Sequence, residues 1–189
     1  MHQFISYLEA YRLITKHAAP RLLSTEELSV PLAIDRTIAE PVYAKTSIPS
    51  FTNSGRDGFV LSENGLEIAA RGQAIDVVGE LKAGDSIDRA NSISGDATRI
   101  MTGAPVPDWG QAIVMIENAT VVDNKILVQG QTATKDWIRQ VGKDIHSGDL
   151  IADVGRILVP EHVQALISAG VTEVVCLLYT SDAADDRVS

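Results

Sequence analysis

The chain holds 189 residues, 45% of them hydrophobic and 22% charged, with a formal net charge of −9. That is apolar material for one ordinary core or two small ones, and it excludes a disordered tail or a fibrous protein. The acidic balance argues against a nucleic-acid partner, and no apolar run approaches the roughly 20 residues that span a bilayer. With no basic-then-apolar leader and a single cysteine, Cys176, the expectation is a cytoplasmic protein with no membrane association. The histidines His2, His17, His146 and His162 are scattered and show no metal-ligand spacing.

In chain order, Ser6 and Glu9 have the form of a capping box, and Phe4, Leu8, Tyr11 and Ile14 recur at helical spacing. The pattern predicts an amphipathic helix over roughly residues 7–18, with Pro20 beyond its end. Glu26 to Leu32 predicts a strand that Pro31 places at an edge, and 35–44 a short turn or helix. From Lys45 short β-type runs alternate with glycine: 58–61, 74–78, 97–101, 112–116 and 125–128. Asp123-Asn124 between two apolar pairs predicts a tight hairpin. Strands this short and regular suggest a small β-barrel or sandwich. Leu150 to Val159 looks extended, Pro160 to Ala169 helical, Gly170 a stop, and Val171 to Val175 a buried strand. The last 14 residues, 176–189, are Asp/Ala-rich and resemble a translated transposase adapter read through past the end of an insert. They are expected to be non-native and to pack on nothing, which makes the chain a truncated piece.

The simplest organisation is α+β: a unit built from both flanks, 1–44 and 145–175, with a β-rich, barrel-like domain inserted at 45–144. Three polar clusters carry the candidate chemistry. Pro49 to Gly58 offers turn-forming amides, hydroxyls, one guanidinium and one carboxylate, fit to hold an anion or to serve as a plain surface loop. Arg99 to Pro107 runs from a strand into a Thr-Gly turn stiffened by two prolines, which would hold Thr102 in a fixed direction. Arg139 to Gly148 places Asp144 between glycines beside Lys143, either facing a ligand or in an ordinary salt-bridged turn. No catalytic Ser/His/Asp spacing, CxxC, HExxH or phosphate-binding GxxxxGK[ST] is present.

In this order the clusters resemble the molybdopterin molybdenumtransferase family, which includes the C-terminal part of gephyrin. Thr52-Asn-Ser-Gly-Arg-Asp-Gly-Phe-Val60 is similar to D-N-S-x-M-D-G-Y/F-A-V. Arg99 to Pro107 matches R-I-M-T-G-A-P-V-P, followed by the strand Ala112-Ile-Val-Met-Ile-Glu117. Trp137 to Gly148 resembles N-I-R-x-x-G-E-D-I-x-x-G, and Leu158 to Gly170 resembles L-x-P-x-x-x-x-x-L-x-S-x-G. The resemblance implies an elongated discontinuous first domain, the inserted second domain, and further domains beyond, the third being α/β and cut off at its start. It implies insertion of molybdate into adenylylated molybdopterin with release of AMP, with Mg²⁺, in a homodimer. The alternative is a non-catalytic dimerisation or scaffolding module of the same fold. By motif position the catalytic candidates are Asp57, Thr102 and Asp144, with Ser54 and Arg139 as supporting substrate contacts; no metal ligand is assigned. Thr102 is suited to donate a hydrogen bond to a phosphate or molybdate oxygen, and carboxylates suit Mg²⁺. Thr52, Arg56 and Lys143 depart from the family's Asp, Met and Glu. Each makes its surroundings more positive, so Arg56 and Lys143 are expected to lower the pKa of the neighbouring carboxylates.

Overall fold

A computed structural model describes residues 5–17 and 24–178. Phe4, Pro20 and residues 179–189, on which parts of the sequence reading fall, lie outside the described residues. The elements run α1 (Tyr7–His17), β1 (Thr25–Ser29), β2 (Val42–Tyr43), β3 (Asn53–Ser54), β4 (Gly58–Leu61), α2 (Glu63–Ala70) and β5 (Ile75–Leu81). They continue α3 (Ile87–Ser92), β6 (Ala97–Ile100), β7 (Ala112–Met115), β8 (Ala119–Val122), β9 (Lys125–Val128), β10 (Ile138–Arg139), β11 (Leu150–Ala152), α4 (Pro160–Ser168) and β12 (Glu173–Leu177).

The chain divides into two compact units. The first takes the described residues up to Val42, Leu150–Ile167, and those from Val171 onward. Here β1 pairs antiparallel with β12, from Thr25↔Leu177 to Ser29↔Glu173. β1 ends where Pro31 begins a 3₁₀ turn at Val30–Leu32, so the strand read to Leu32 stops at Ser29. Alternation along β12 sends Val174 and Cys176 into a core with Val30, Ile38, Leu158 and Leu166. The expected detachment of the chain from Cys176 is therefore corrected for its first residues. Cys176 is fully buried, the Leu177 amide donates to the Thr37 carbonyl at 2.8 Å, and the Leu178 amide donates to the Ser24 carbonyl at 2.7 Å. Arg36 reinforces this edge by pairing with Glu26 and donating to the Leu177 carbonyl at 2.8 Å. In α1 the Ser6 hydroxyl accepts the Glu9 amide as the capping pattern requires, and Tyr7, Leu8, Tyr11 and Ile14 are all exposed.

The second unit takes residues 43–149 with Ser168–Gly170. The sequence reading set its limits at 45 and 144. Its entry and exit chains bond to one another beyond those points, with the Ala44 amide donating to the Asp149 carbonyl and the Gly148 amide to the Ala44 carbonyl, both at 2.8 Å. Its centre is a curled six-stranded half-barrel sheet, ordered β7-β4-β6-β5-β9-β8. β4 lies antiparallel to both β6 and β7, while β5 runs parallel to β6. All four residues of β4 are buried, because the sheet has apolar cover on both faces. Phe59 and Leu61 join Ile75, Val114 and Ile126 in one cluster. Val60 joins Leu81, Ile100 and Ile113 in the other, against which Trp109 and Trp137 pack. The β8–β9 hairpin turns at Asp123-Asn124 with Asp123 at φ 53°, the left-handed conformation such a turn demands. Two helices fall outside the sequence reading. Both α2 and α3 are short and serine-capped: Ser62 Oγ accepts the Gly65 amide at 2.9 Å and Ser86 Oγ the Arg89 amide at 3.1 Å.

Candidate functional site

The three polar clusters meet in the second unit through backbone pairing. β3, inside the first cluster, pairs antiparallel with β10, which opens the third, by Ser54↔Ile138 and Asn53↔Arg139. The opposite side of the same segment takes the second cluster. The Ser54 amide donates to the Ala104 carbonyl at 2.9 Å, and the Gly103 amide to the Ser54 carbonyl at 2.8 Å. Gly103 has φ 82°, a conformation glycine adopts without strain, so the chain can turn there to reach Ser54. The third cluster is tied in again by the Asp144 amide, which donates to the Ile48 carbonyl at 2.9 Å. A cavity of about 240 Å³ beside this junction is lined from all three clusters, by Ser50, Phe51 and Thr52, by Val106 and by Val141, with Ile87 and Asp108. A larger one of about 280 Å³ lies over the sheet near Arg99 and Asn124.

Asp57 sits at the end of the first loop, immediately before β4. Its Oδ1 accepts the Thr102 amide at 2.7 Å and the Thr102 hydroxyl at 2.8 Å. The backbone bond from Thr102, then its hydroxyl, hold the Asp57 carboxyl below the usual carboxylate range; Arg99 adds a smaller push in the same direction. The expected neighbour effect of Arg56 is corrected: its guanidinium lies over the Trp137 ring, 4.7 Å from the centroid, and is not among the causes of that shift. Thr102 donates its hydroxyl to a carboxylate of its own chain, not outward.

Arg139 and Asp144 form an ion pair at 2.5 Å, both partly exposed. Ser54 is 1% exposed, and its hydroxyl donates to the Arg56 carbonyl at 2.6 Å and accepts the Arg56 amide at 3.3 Å. It stitches the loop. Among the described residues no hydrogen bond or ion pair links the Asp57–Thr102 pair to the Arg139–Asp144 pair. Arg99 opens the motif that carries Thr102, and that position is the sequence signal for its part in the site. It pairs with Glu80 at 3.4 Å while its field reaches Asp57. Among the described residues, no group of three or more His, Cys, Asp or Glu side chains gathers where a metal could sit. With Asp57 engaged by Thr102 and Asp144 by Arg139, the described residues do not by themselves compose a Mg²⁺ site. No helix of the described residues is long and apolar enough to cross a membrane.

A family model described as the MoeA N-terminal region (domain I and II) matches residues 5–170. The chain is 32% identical over 153 residues to the molybdopterin molybdenumtransferase of Haemophilus influenzae, covering 80% of this chain and 37% of that protein. It is 30% identical over 172 residues to the protein of that name from Synechococcus elongatus, covering 85% and 43%. The solved molybdopterin biosynthesis MoeA protein of Pyrococcus horikoshii OT3 matches with a TM-score of 0.79 at 24% identity, over 93% of this chain and 46% of that one. The chain thus spans about two-fifths of the length of the curated relatives it matches.

Proposed function

The chain belongs to the MoeA family, as its N-terminal region, and from that premise we propose that it serves insertion of molybdate into adenylylated molybdopterin with release of AMP. The unit centred on β1 and β12 would be domain I and the sheet unit domain II. The observation that carries the reading is the Asp57–Thr102 pair, which joins the first motif to the second. Thr102 binds Asp57 Oδ1 through both its amide and its hydroxyl, which fixes the orientation of the carboxylate. A charged oxygen held this way can orient a polar substrate without reorganising at the moment of reaction. Arg139 on β10 and Asp144 in the loop that follows it offer a second charged pair. The substrates are adenylylated molybdopterin and molybdate, and the working form is a cytoplasmic homodimer. Mg²⁺, which the family resemblance implies, finds no complete ligand set among the described residues.

The test uses a protein that carries these units at the relatives' full length. Asp57→Ala, Thr102→Ala and Asp144→Ala should each reduce molybdenum insertion, on the order of 100-fold where positioning is lost. Thermal midpoints should change little, because these exposed loop side chains carry no core packing. Full activity in all three would overturn the site, and no insertion by the full-length parent would favour a non-catalytic scaffold.

A further inference from the structure

We propose that Arg56 is an anion-binding residue, its guanidinium laid on the Trp137 ring so that the N–H edge faces the oxygens of a phosphoryl or pyrophosphoryl group. Three observations converge on this arrangement. The first is the platform. Trp137 packs against the core cluster that contains Val60 and Ile100, and its carbonyl accepts the Gly55 amide at 2.7 Å. The ring is therefore held from below and the loop carrying Arg56 is held to it from the side. The second is the anchor. The Arg56 carbonyl and amide are both bonded to the buried Ser54 hydroxyl, so the side chain leaves a fixed backbone. The third is that its charge is unspent. Among the described residues the Arg56 guanidinium has no hydrogen bond and no ion pair, although the residue is exposed and adjoins Asp57. The other arginines of the motifs are committed, Arg99 to Glu80 and Arg139 to Asp144. Asp57 is turned to Thr102.

Stacking suits this task. A guanidinium on an aromatic face keeps its plane fixed and its in-plane donors free, and that fork matches the paired oxygens of a phosphoryl group. A chain with net charge −9 can still bind an anion at such a point, because the local field decides. Both members of the contact depart from the signatures this chain otherwise follows, Arg56 at a methionine position and Trp137 at an asparagine position. They came together in the fold, and each explains the other. Assigning the anion to the pyrophosphate linkage of an adenylylated substrate rests on the molybdenum-insertion reading; the anion site itself does not.

The experiment is a titration of the whole chain with inorganic pyrophosphate, followed by NMR at the two indole N–H resonances. A saturable shift is expected at Trp137 and not at Trp109. Arg56→Met should weaken binding at least ten-fold, the scale of charge-assisted hydrogen bonds. Arg56→Lys should recover part of that loss, keeping the charge without the fork, and Trp137→Ala should weaken binding about two- to five-fold by removing the stack. Arg71→Met, at an exposed arginine paired with Glu67, should bind like the unmodified chain. Absence of a saturable shift, unchanged binding in Arg56→Met, or equal loss in Arg71→Met would overturn the proposal. Intact pyrophosphate binding alongside a full-length parent protein that inserts no molybdenum would instead fault the insertion reading and leave the anion site standing.

Discussion

Asp57 owes its lowered pKa first to the main-chain amide of Thr102 and only then to the threonine hydroxyl. Thr102→Ala removes the second bond and leaves the first, so the Asp57 midpoint should rise only part of the way to the ordinary carboxylate value. Because the folded value is the depressed one, the stabilisation is present above the unfolded pKa and is lost as pH falls through the folded pKa. The variant should therefore carry a small stability deficit at neutral pH that fades as pH falls through the Asp57 midpoint. Carboxyl-carbon NMR through that range reads the midpoint, and an unchanged or lower value would contradict the assignment. The identity of Asp57, Thr102 and Asp144 as candidates was legible from motif spelling. Their partners were not. Adjacency in sequence pointed to Arg56 as the cation acting on Asp57, yet a side chain reaches several ångströms and its rotamer is chosen by the surface it can cover. For Arg56 that surface is Trp137.

Elements show the same division. α1 and α4 were legible because apolar residues recurred over several turns, and β4 because its apolar run was continuous. α2 and α3 were missed because helices of 8 and 6 residues are too short for a period to declare itself. α2 depends on tertiary support: Ser62 caps it and also donates to the Asp96 carboxylate at 2.9 Å. Ser62→Ala should cost about 1 kcal/mol in urea unfolding, and no measurable loss would mean the cap does not hold the helix. At Gly58 an added Cβ would stand 1.9 Å from the Val114 carbonyl oxygen, where β4 and β7 pair. Gly58→Ala should cost about 3 kcal/mol or more, since backbone on both sides must shift. Cys176, read as the start of a foreign tail, is core, and burial pushes its thiol pKa up. Cys176→Ser should cost about 1–3 kcal/mol by burying a hydroxyl among Ile38, Leu158 and Leu166. A neutral result would mean the last strand does not close that core.

For the whole molecule, the two units have separate apolar cores, and the chain crosses between them near Tyr43 and Asp149 and again around Ser168–Gly170. Limited proteolysis should cut near those crossings and leave a resistant fragment that contains the six-stranded sheet, identified by mass. Loss of both units at one rate, with no such fragment, would count against independent cores.

Alone, the sequence determined the α+β class, most strand positions, the hairpin at Asp123 and the family resemblance. All of these are written in local spacing and short motifs, which act over a few residues. Tertiary structure decided what spacing cannot encode: that β3 joins β10, that Thr102 serves Asp57, that Arg56 lies on Trp137, and that β12 runs on to Leu177. Each of these contacts joins residues far apart in the chain. Which partner is met depends on how the sheet curls and which backbone edges remain to be paired, and that is settled only when the core closes.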